Sequence, residues 1–443
     1  MDSRKAQLVV LAFGLSIFFD DYATLMVVGP TMLPLMDLLR VSREKLCMLV
    51  DSTAAPVASA VFASSWIGFQ VGLIQSEFVH LHLSISPFSA FLSSGLYRFY
   101  DLTLIFLLAL SIVSLRDFGP MYHIELSTRS GFSPHDLDSP NVESGSSTGS
   151  SPDSSPPMEV HDPLMPIEII SGHREITPRW WNAAVPFGVL IVAIVGGLLL
   201  DGMARARDAG VEELTLETVL GHADSFNVML WAAFLASCSA MLLVVTQRLM
   251  TLPEALQCWI DGTKAIMGAV LALIHAWGIS AICVDLQSSR WIVSLIGESL
   301  PHQIFPALVF ALSAVISFST GSSWGTMAMG FPVTIPLAVA LRPADEPYLY
   351  LTIGASLTGA IFGDHCSPIS DTTILAATSC GCSLIRHVQT QLPYALLVAV
   401  VTLFCGFLLA GFGLHFVLAH LCCFAAVAIF LYFFGKPVPL FHM

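Results

Sequence analysis

The chain is poor in charge. Only 11% of its 443 residues are Asp, Glu, Lys or Arg, whereas soluble domains carry about 25%. With 55% hydrophobic residues, a soluble protein could not cover its surface; one whose solvent is lipid has no such need. Basic residues are scarcer still, 18 Lys and Arg against 32 Asp and Glu. Nucleic-acid binding needs basic patches interleaved with aromatics, and none is present, so no nucleic-acid partner is expected. The ten cysteines form no CxxC pair. Cys380 and Cys382 are spaced too closely for the usual zinc site, and Cys238, Cys283, Cys405, Cys422 and Cys423 lie in apolar runs as small fillers. HExxH, P-loop and GxSxG motifs are missing, which leaves hydrolase and ATPase readings without support. No cofactor is expected, and the chain is not read as an enzyme.

What the chain does have is long apolar runs. About 20 apolar residues cross a bilayer as a helix. Clean candidates are residues 185–200, 226–245, 266–284, 304–318, 395–412 and 415–434, with a shorter one at 102–115. Four further segments are apolar but interrupted: 8–35, 46–74, 318–341 and 349–378. The expected architecture is an all-α polytopic membrane protein with 10–12 transmembrane or half-membrane helices. Arg4-Lys5 followed by an apolar run mimics a signal peptide. Asp20-Asp21 follows without a small-residue cleavage site, so the run is read as a retained membrane segment. Trp180, Trp181, Trp231 and Tyr394 suit an interfacial aromatic belt.

Residues 116–179 hold ten acids and four bases, a good part of the net charge of −14. The stretch SPHDLDSPNVESGSSTGSSPDSSPP at 133–157 is too polar to bury a core. The expected organisation is a first membrane half at 1–115, a disordered acidic linker at 116–180 and a second membrane half at 181–443. Residues 248–262 read as an interfacial helix, with Thr251 as cap and Glu254 three residues on.

The interrupted segments carry the chemistry. A carboxylate within the bilayer is costly and usually functional, and irregular backbone is tolerated there only against protein or a cavity. GDHCSPISDTT (363–373) places Asp364 and Asp371 on either side of Pro368, with hydroxyls from Ser367, Ser370, Thr372 and Thr373. This is a dense set of hard oxygen donors, which hard cations such as Na⁺ prefer. An ordinary polar loop with Asp371 capping a helix remains the alternative. TGSSWGTMAMGFPVTIP (320–336) is punctuated by Gly321, Gly325, Pro332 and Pro336. It reads as an unwound helix facing a substrate, through Ser322, Ser323 and Thr326, or as a small-residue packing face. FFDDYATLMVVGPTMLP (18–34) carries Asp20 and Asp21 with no basic neighbour. VDSTAAPVAS (50–59) has Asp51 five residues before Pro56, as Asp364 stands four before Pro368. His365, beside Asp364, is a relay candidate or a backbone-bonding residue. His275 reads as a helix-interface histidine rather than a relay, and Asp201, Asp261 and Asp285 as solvated caps.

A constant offset of 302 aligns Pro30 with Pro332, Pro34 with Pro336, Leu35 with Leu337 and Thr24 with Thr326. In each half a broken segment precedes an Asp…Pro segment. Paired interruptions of this kind point to a midplane site between inverted repeats.

At these residues the chain resembles the NhaC-type sodium/proton antiporters of the larger ion-transporter superfamily. The strings that carry the resemblance are residues 18–59, SGLYRFYDLT (94–103), RDFGPM (116–121), STGSSWGTM (319–327), GDHCSPISDTTILAATS (363–379) and QTQLPYAL (389–396). It spans nearly everything but the linker. It implies Na⁺/H⁺ exchange by an inverted-repeat fold with broken helices at the exchange site; some relatives move amino acids or organic acids instead. Family members carry several helices before the segment matching residues 18–21, so the first repeat is expected to be incomplete.

The expected function is secondary antiport in which Na⁺ and H⁺ compete at intramembrane carboxylates, since burial raises a carboxyl pKa toward neutrality. Asp364 and Asp371 are the expected Na⁺ ligands and proton carriers, Asp51 their counterpart in the other half, and Asp20 and Asp21 the lining of the approach. The alternatives are a Na⁺- or H⁺-coupled amino-acid or organic-acid exchanger, and a non-transporting receptor or scaffold. Expected partners are Na⁺ and H⁺ as substrates, the lipid bilayer of the plasma membrane, and a second copy of the chain in a homodimer.

Overall fold

A computed structural model describes residues 2–61, 64–131, 181–210, 223–265 and 301–441, with the single positions 214, 218, 219, 267, 282 and 286. The stretch 133–157, the apolar run 266–284 with His275, and Asp285 lie outside the described residues, apart from Met267 and Ile282.

The architecture is helical, as the apolar runs dictate. The first half contains α1 (Ser3–Ser16), α2 (Asp21–Leu38), α3 (Arg43–Ala60), α4 (Ser65–His80), α5 (Pro87–Ser94), α6 (Phe99–Ser114) and α7 (Gly119–Arg129). The second contains α8 (Trp181–Asp208), α9 (Ser225–Thr246), α10 (Leu252–Ala265), α11 (Phe305–Thr320), α12 (Ser323–Leu341), α13 (Glu346–Cys366), α14 (Asp371–Ser379), α15 (Leu384–Val401) and α16 (Phe416–Phe434). A π-helical stretch, Thr402–Leu408, extends α15. Among the described residues, four helices are long and apolar enough to span a membrane, and up to six if each bent pair is one span. Two further apolar helices, Leu230–Thr246 and Phe305–Thr320, are shorter. The expected tally of 10–12 included half-crossings, and the interrupted segments 8–35, 46–74 and 349–378 are each divided into two helices by a break.

The breaks of the four interrupted segments fall at 17–20, between Ala60 and Ser65, at 321–322 and at 367–370. They do not fall at most of the prolines. Pro56, Pro332 and Pro336 sit inside α3 and α12, and Gly325 lies in the first turns of α12. A proline removes one backbone donor and kinks a helix, but neighbouring helices and hydroxyl side chains re-satisfy the freed groups within a bundle. Gly321 does mark a break: it ends α11 with φ of 66°, the left-handed conformation that favours glycine. Pro368 lies within the break at 367–370.

The sequence offset of 302 holds in three dimensions. Asp20 is the N-cap of α2 and accepts from the Ala23 N–H; Ser322 is the N-cap of α12 and accepts from the Gly325 N–H. The Thr24 and Thr326 hydroxyls donate to the carbonyls of those two caps, at 3.0 and 2.8 Å. The halves also interlock, because α14 packs against α2 and α4 against α12.

Residues 116–131, placed by the sequence in the expected linker, are folded. Arg116–Asp117 forms a short strand paired antiparallel with Lys436–Pro437, and α7 packs on α15 and α3. The charges that made this stretch look solvated have buried partners: Lys45 Nζ reaches Asp117 at 2.5 Å and Arg129 reaches Glu125 at 3.1 Å. The segment expected as an interfacial helix forms α10, and at its start the Thr251 N–H donates to Glu254 at 2.6 Å, as in a capping box.

Helix α11 packs closely on α13. Glycines 359 and 363, four apart, allow it: a Cβ at 359 would lie 2.5 Å from the Phe310 carbonyl oxygen, and one at 363 would lie 2.2 Å from the Phe318 backbone nitrogen. Small residues at this spacing let helix backbones touch in membranes. Gly363→Val should therefore destabilise the detergent-purified protein by about 1–3 kcal/mol, the usual cost of overpacking. Gly188→Val, whose Cβ meets nothing within 4 Å, should leave the unfolding midpoint unchanged.

Candidate functional site

Each helix break exposes the N–H groups of a helix start and the carbonyls of a helix end. The starts of α2, α4, α12 and α14 converge. Trp66, near the start of α4, donates its indole N–H to Asp21 at 3.1 Å, and Ser65 donates to Asp20 at 2.8 Å. Trp66 and Trp324 rings meet at 5.3 Å, and Phe69 stacks on Trp324 at 4.5 Å. Tyr22 donates its hydroxyl to Asp371. Helix starts carry partial positive charge, so their convergence favours carboxylates.

Asp364 is at the centre. It is 2% exposed. One carboxylate oxygen accepts from Ser323 of α12 at 2.7 Å and the other from Ser370 at 2.6 Å. Ser370 in turn bonds Thr372 at 2.8 Å. Asp21 is equally buried, at 2% exposure, and lies within electrostatic reach of Asp364 and Asp20. Its Oδ1 takes the Trp66 N–H, and its Oδ2 has no hydrogen-bond partner among the described residues. A buried carboxylate oxygen without a donor is costly, and it is the kind of ligand atom a cation or a proton satisfies.

The other expected residues are distributed around this centre. Asp371 is exposed, at the first position of α14; it sits on the rim, with Oδ1 accepting from the Thr372 N–H at 3.0 Å. Asp20 is half-buried and spent largely on capping. Ser322 caps α12, and the Thr326 hydroxyl donates to the backbone. Both hold the break in shape and leave Ser323 to meet the carboxylate. Ser367 donates to the Phe318 carbonyl at 2.8 Å, tying the end of α11 to the break at 367–370. Thr373 donates to the Asp364 carbonyl at 3.1 Å.

Asp51 is buried but has a different environment. Its Oδ2 accepts from Gln391 at 2.7 Å and contacts His387 Nε2 at 3.0 Å. The His365 ring is held between Ser52 at 2.8 Å and Tyr100 at 3.1 Å, so it is a bonded strut whose nitrogens both have partners. Tyr22, Trp66, Ser65, His387 and Gln391 were not singled out in the sequence. Tyr22 follows Asp20-Asp21 directly, and Gln391 lies in the QTQLPYAL string. For Trp66 and His387 the sequence holds no local signal, because each reaches its carboxylate from a distant helix.

The double role of Asp20 is separable. Asp20→Asn keeps a capping oxygen and should retain the wild-type unfolding midpoint. Asp20→Ala loses the cap and should cost about 1 kcal/mol, read from thermal unfolding of the purified protein.

Comparison with known proteins bears on the whole chain. The profile of the Na+/H+ antiporter family matches residues 57–412. An "Uncharacterized protein" of Haemophilus influenzae is 32% identical over 92% of this chain and 72% of its own length. An "Uncharacterized Na(+)/H(+) antiporter" of the same organism is 31% identical over 32% of each chain. The arginine/ornithine antiporter ArcD of Halobacterium salinarum is 33% identical over 31% of this chain and 27% of its own. No solved structure matches. The matched residues contain α4 to α15 with Asp364, Ser323 and Ser370, and together with the apolar helices they make this chain a multi-pass integral membrane protein of the NhaC-type Na⁺/H⁺ antiporter family.

Proposed function

We propose that the protein exchanges Na⁺ for H⁺ across the plasma membrane by letting the two ions compete for the carboxylates at the convergent helix breaks. The observation that carries this reading is the pairing of Asp364, bonded by two serine hydroxyls alone, with Asp21, whose Oδ2 lacks a donor. Among the described residues, no Lys or Arg hydrogen-bonds or ion-pairs with either carboxylate. Two buried carboxylates without a countercharge repel each other, and either a proton or a Na⁺ relieves this. Hydroxyl, carboxylate and carbonyl oxygens are suitable ligands for a hard cation. Ser323, Ser370 and the Asp364 and Asp21 carboxylates would hold the ion, and Asp371, on the exposed rim beside Tyr22, would pass protons and cations inward.

The mechanism follows from exclusion. An empty, doubly ionised site is costly at membrane depth, so a change of access is favoured only when the site carries a proton or a Na⁺. Each change then moves one or the other, which couples the two gradients. The paired breaks in two interlocked halves suit alternating access around a fixed site.

A second reading, exchange of an amino acid or organic acid, is favoured by the likeness to the arginine/ornithine antiporter ArcD. That no cationic side chain meets Asp364 or Asp21 among the described residues weighs only a little against an anionic substrate, which wants a cation or a helix N-terminus in the site. It does not weigh against a cationic amino acid, so labelled arginine and ornithine belong among the substrates tested.

In proteoliposomes with a trapped pH dye, Na⁺ pulses should drive proton flux. Asp364→Asn should reduce the rate to less than about a tenth of wild type, the loss expected of an intramembrane functional carboxylate. Wild-type exchange by Asp364→Asn would refute the assignment. Competition also fixes the sign of the pH effect. As pH falls, the carboxylates bind protons and Na⁺ is displaced, so the apparent KM for Na⁺ should rise, approaching about tenfold per pH unit in the acid limit if one proton excludes one Na⁺. A KM independent of pH would exclude competition.

A further inference from the structure

Through Gln391 the Asp51 cluster reaches His365, the residue after Asp364, while the Asp51 carboxylate itself bonds His387 and Gln391 and not Asp364. Helix α13 ends at Cys366, and the carbonyls of its last turn have no partner within the helix. Thr373 takes the carbonyl of Asp364. The carbonyl of His365 is taken by the side-chain amide of Gln391, which also donates to Asp51. One amide group thus joins the last turn of α13 to α3 and α15. The His365 ring is fixed independently, by Ser52 of α3 and Tyr100 of α6. His387, one turn before Gln391 on α15, meets the same oxygen of Asp51. Ser52, Tyr100, His365, His387 and Gln391 are each 0–1% exposed, so water does not compete for these bonds. The residue next to Asp364 is therefore held through both its backbone and its ring by three different helices. A binding group must be held within a fraction of an ångström of its productive position to be effective.

We propose that Gln391 and His387 are positioning residues of the exchange site: with Asp51 they hold the last turn of α13, and so Asp364, where the Ser323 and Ser370 hydroxyls reach it. The proposal rests on the carboxylate-exchange reading and adds to it a role for the Asp51 cluster. Asp51 is committed to His387 and Gln391, and its part is to orient the other half's carboxylate.

The test compares wild type with Gln391→Leu, His387→Leu, His387→Gln and Asp364→Asn, reconstituted as full chains and assayed by Na⁺-driven proton flux over a range of Na⁺ concentrations. Gln391→Leu and His387→Leu keep side-chain bulk and lose the polar contacts. Each should raise the apparent KM for Na⁺ about tenfold while Vmax stays within about threefold, the pattern of a displaced binding group. His387→Gln, whose amide can still donate to Asp51, should restore the wild-type KM. A purely structural role predicts lower protein yield or Vmax at unchanged KM, and that result overturns the proposal, as does His387→Gln behaving like His387→Leu. If Gln391→Leu does not give a monodisperse folded protein, the His387 pair decides alone. Asp364→Asn separates the two levels. Full exchange by Asp364→Asn refutes the exchange site itself, whereas loss of exchange there with an unchanged KM in Gln391→Leu refutes only the positioning role.

Discussion

The structure depends on the hydrogen bonds that close the helix breaks of the four interrupted segments. An opened helix in a membrane leaves donors and acceptors that no water can satisfy, so a break survives only where other parts of the chain supply the missing partners. Here the breaks supply them largely to one another. Ser65 reaches Asp20, Ser323 and Ser370 reach Asp364, and Ser367 reaches the carbonyl of Phe318. The backbone does the same: the Ser65 N–H donates to the Phe19 carbonyl at 2.8 Å. Each break is thus a condition for another, and the acidic centre exists because these four irregular points meet.

This dependence separates structural carboxylates from those the proposed exchange would use. Asp117, Asp101 and Glu125 are buried, and each faces a basic side chain: Lys45 at 2.5 Å, Arg98 at 3.5 Å and Arg129 at 3.1 Å. Removing one partner of such a pair strands a buried charge, which makes these pairs fixtures of the fold. Arg98 also donates to the Ser59 carbonyl at 3.0 Å, near the end of α3, so even this cation helps finish a helix terminus. Asp51 is committed to His387 and Gln391. At the helix breaks, the buried Asp364 and Asp21 are served by neutral donors only. Neutral donors stabilise an anion without cancelling its charge, and this leaves room for a cation that must also depart.

Much of this was legible in the chain. The interrupted apolar segments fall at the breaks, and the 302-residue offset joins two caps, Asp20 and Ser322, that perform the same task. The burial of Asp364 among the breaks was legible because a carboxylate between long apolar flanks is costly and is kept only where other groups hold it. The prolines misled: Pro56, Pro332 and Pro336 lie within helices, since a bundle re-bonds what a single proline frees, whereas the break at 61–64 carries no proline or glycine at its described positions. Asp371 was grouped with Asp364 by spacing, yet the break between them turns one inward and the other to the rim. The partners contributed by remote helices, Trp66, His387 and Gln391, were out of reach because nothing local distinguishes them from an interfacial ring or a satisfied polar residue. The charges of 116–129 were taken as solvated for the same reason.

The two halves use one backbone design with different chemistry. Where the first has Asp20-Asp21, the second has Ser322-Ser323. The N-caps are equivalent in both, so capping alone does not require the acids. The next position decides the chemistry: Asp21 brings a charge to the start of α2, and Ser323 brings a hydroxyl to the start of α12. Had both been aspartates, Asp364 would face a third buried charge with no donor on that oxygen. Had both been serines, Asp364 would be the single buried charge of the centre. One acid and one hydroxyl give two buried carboxylates within electrostatic reach, one fully bonded and one with an oxygen to spare. That asymmetry suits a site that must hold a single cation or its proton equivalent and then release it.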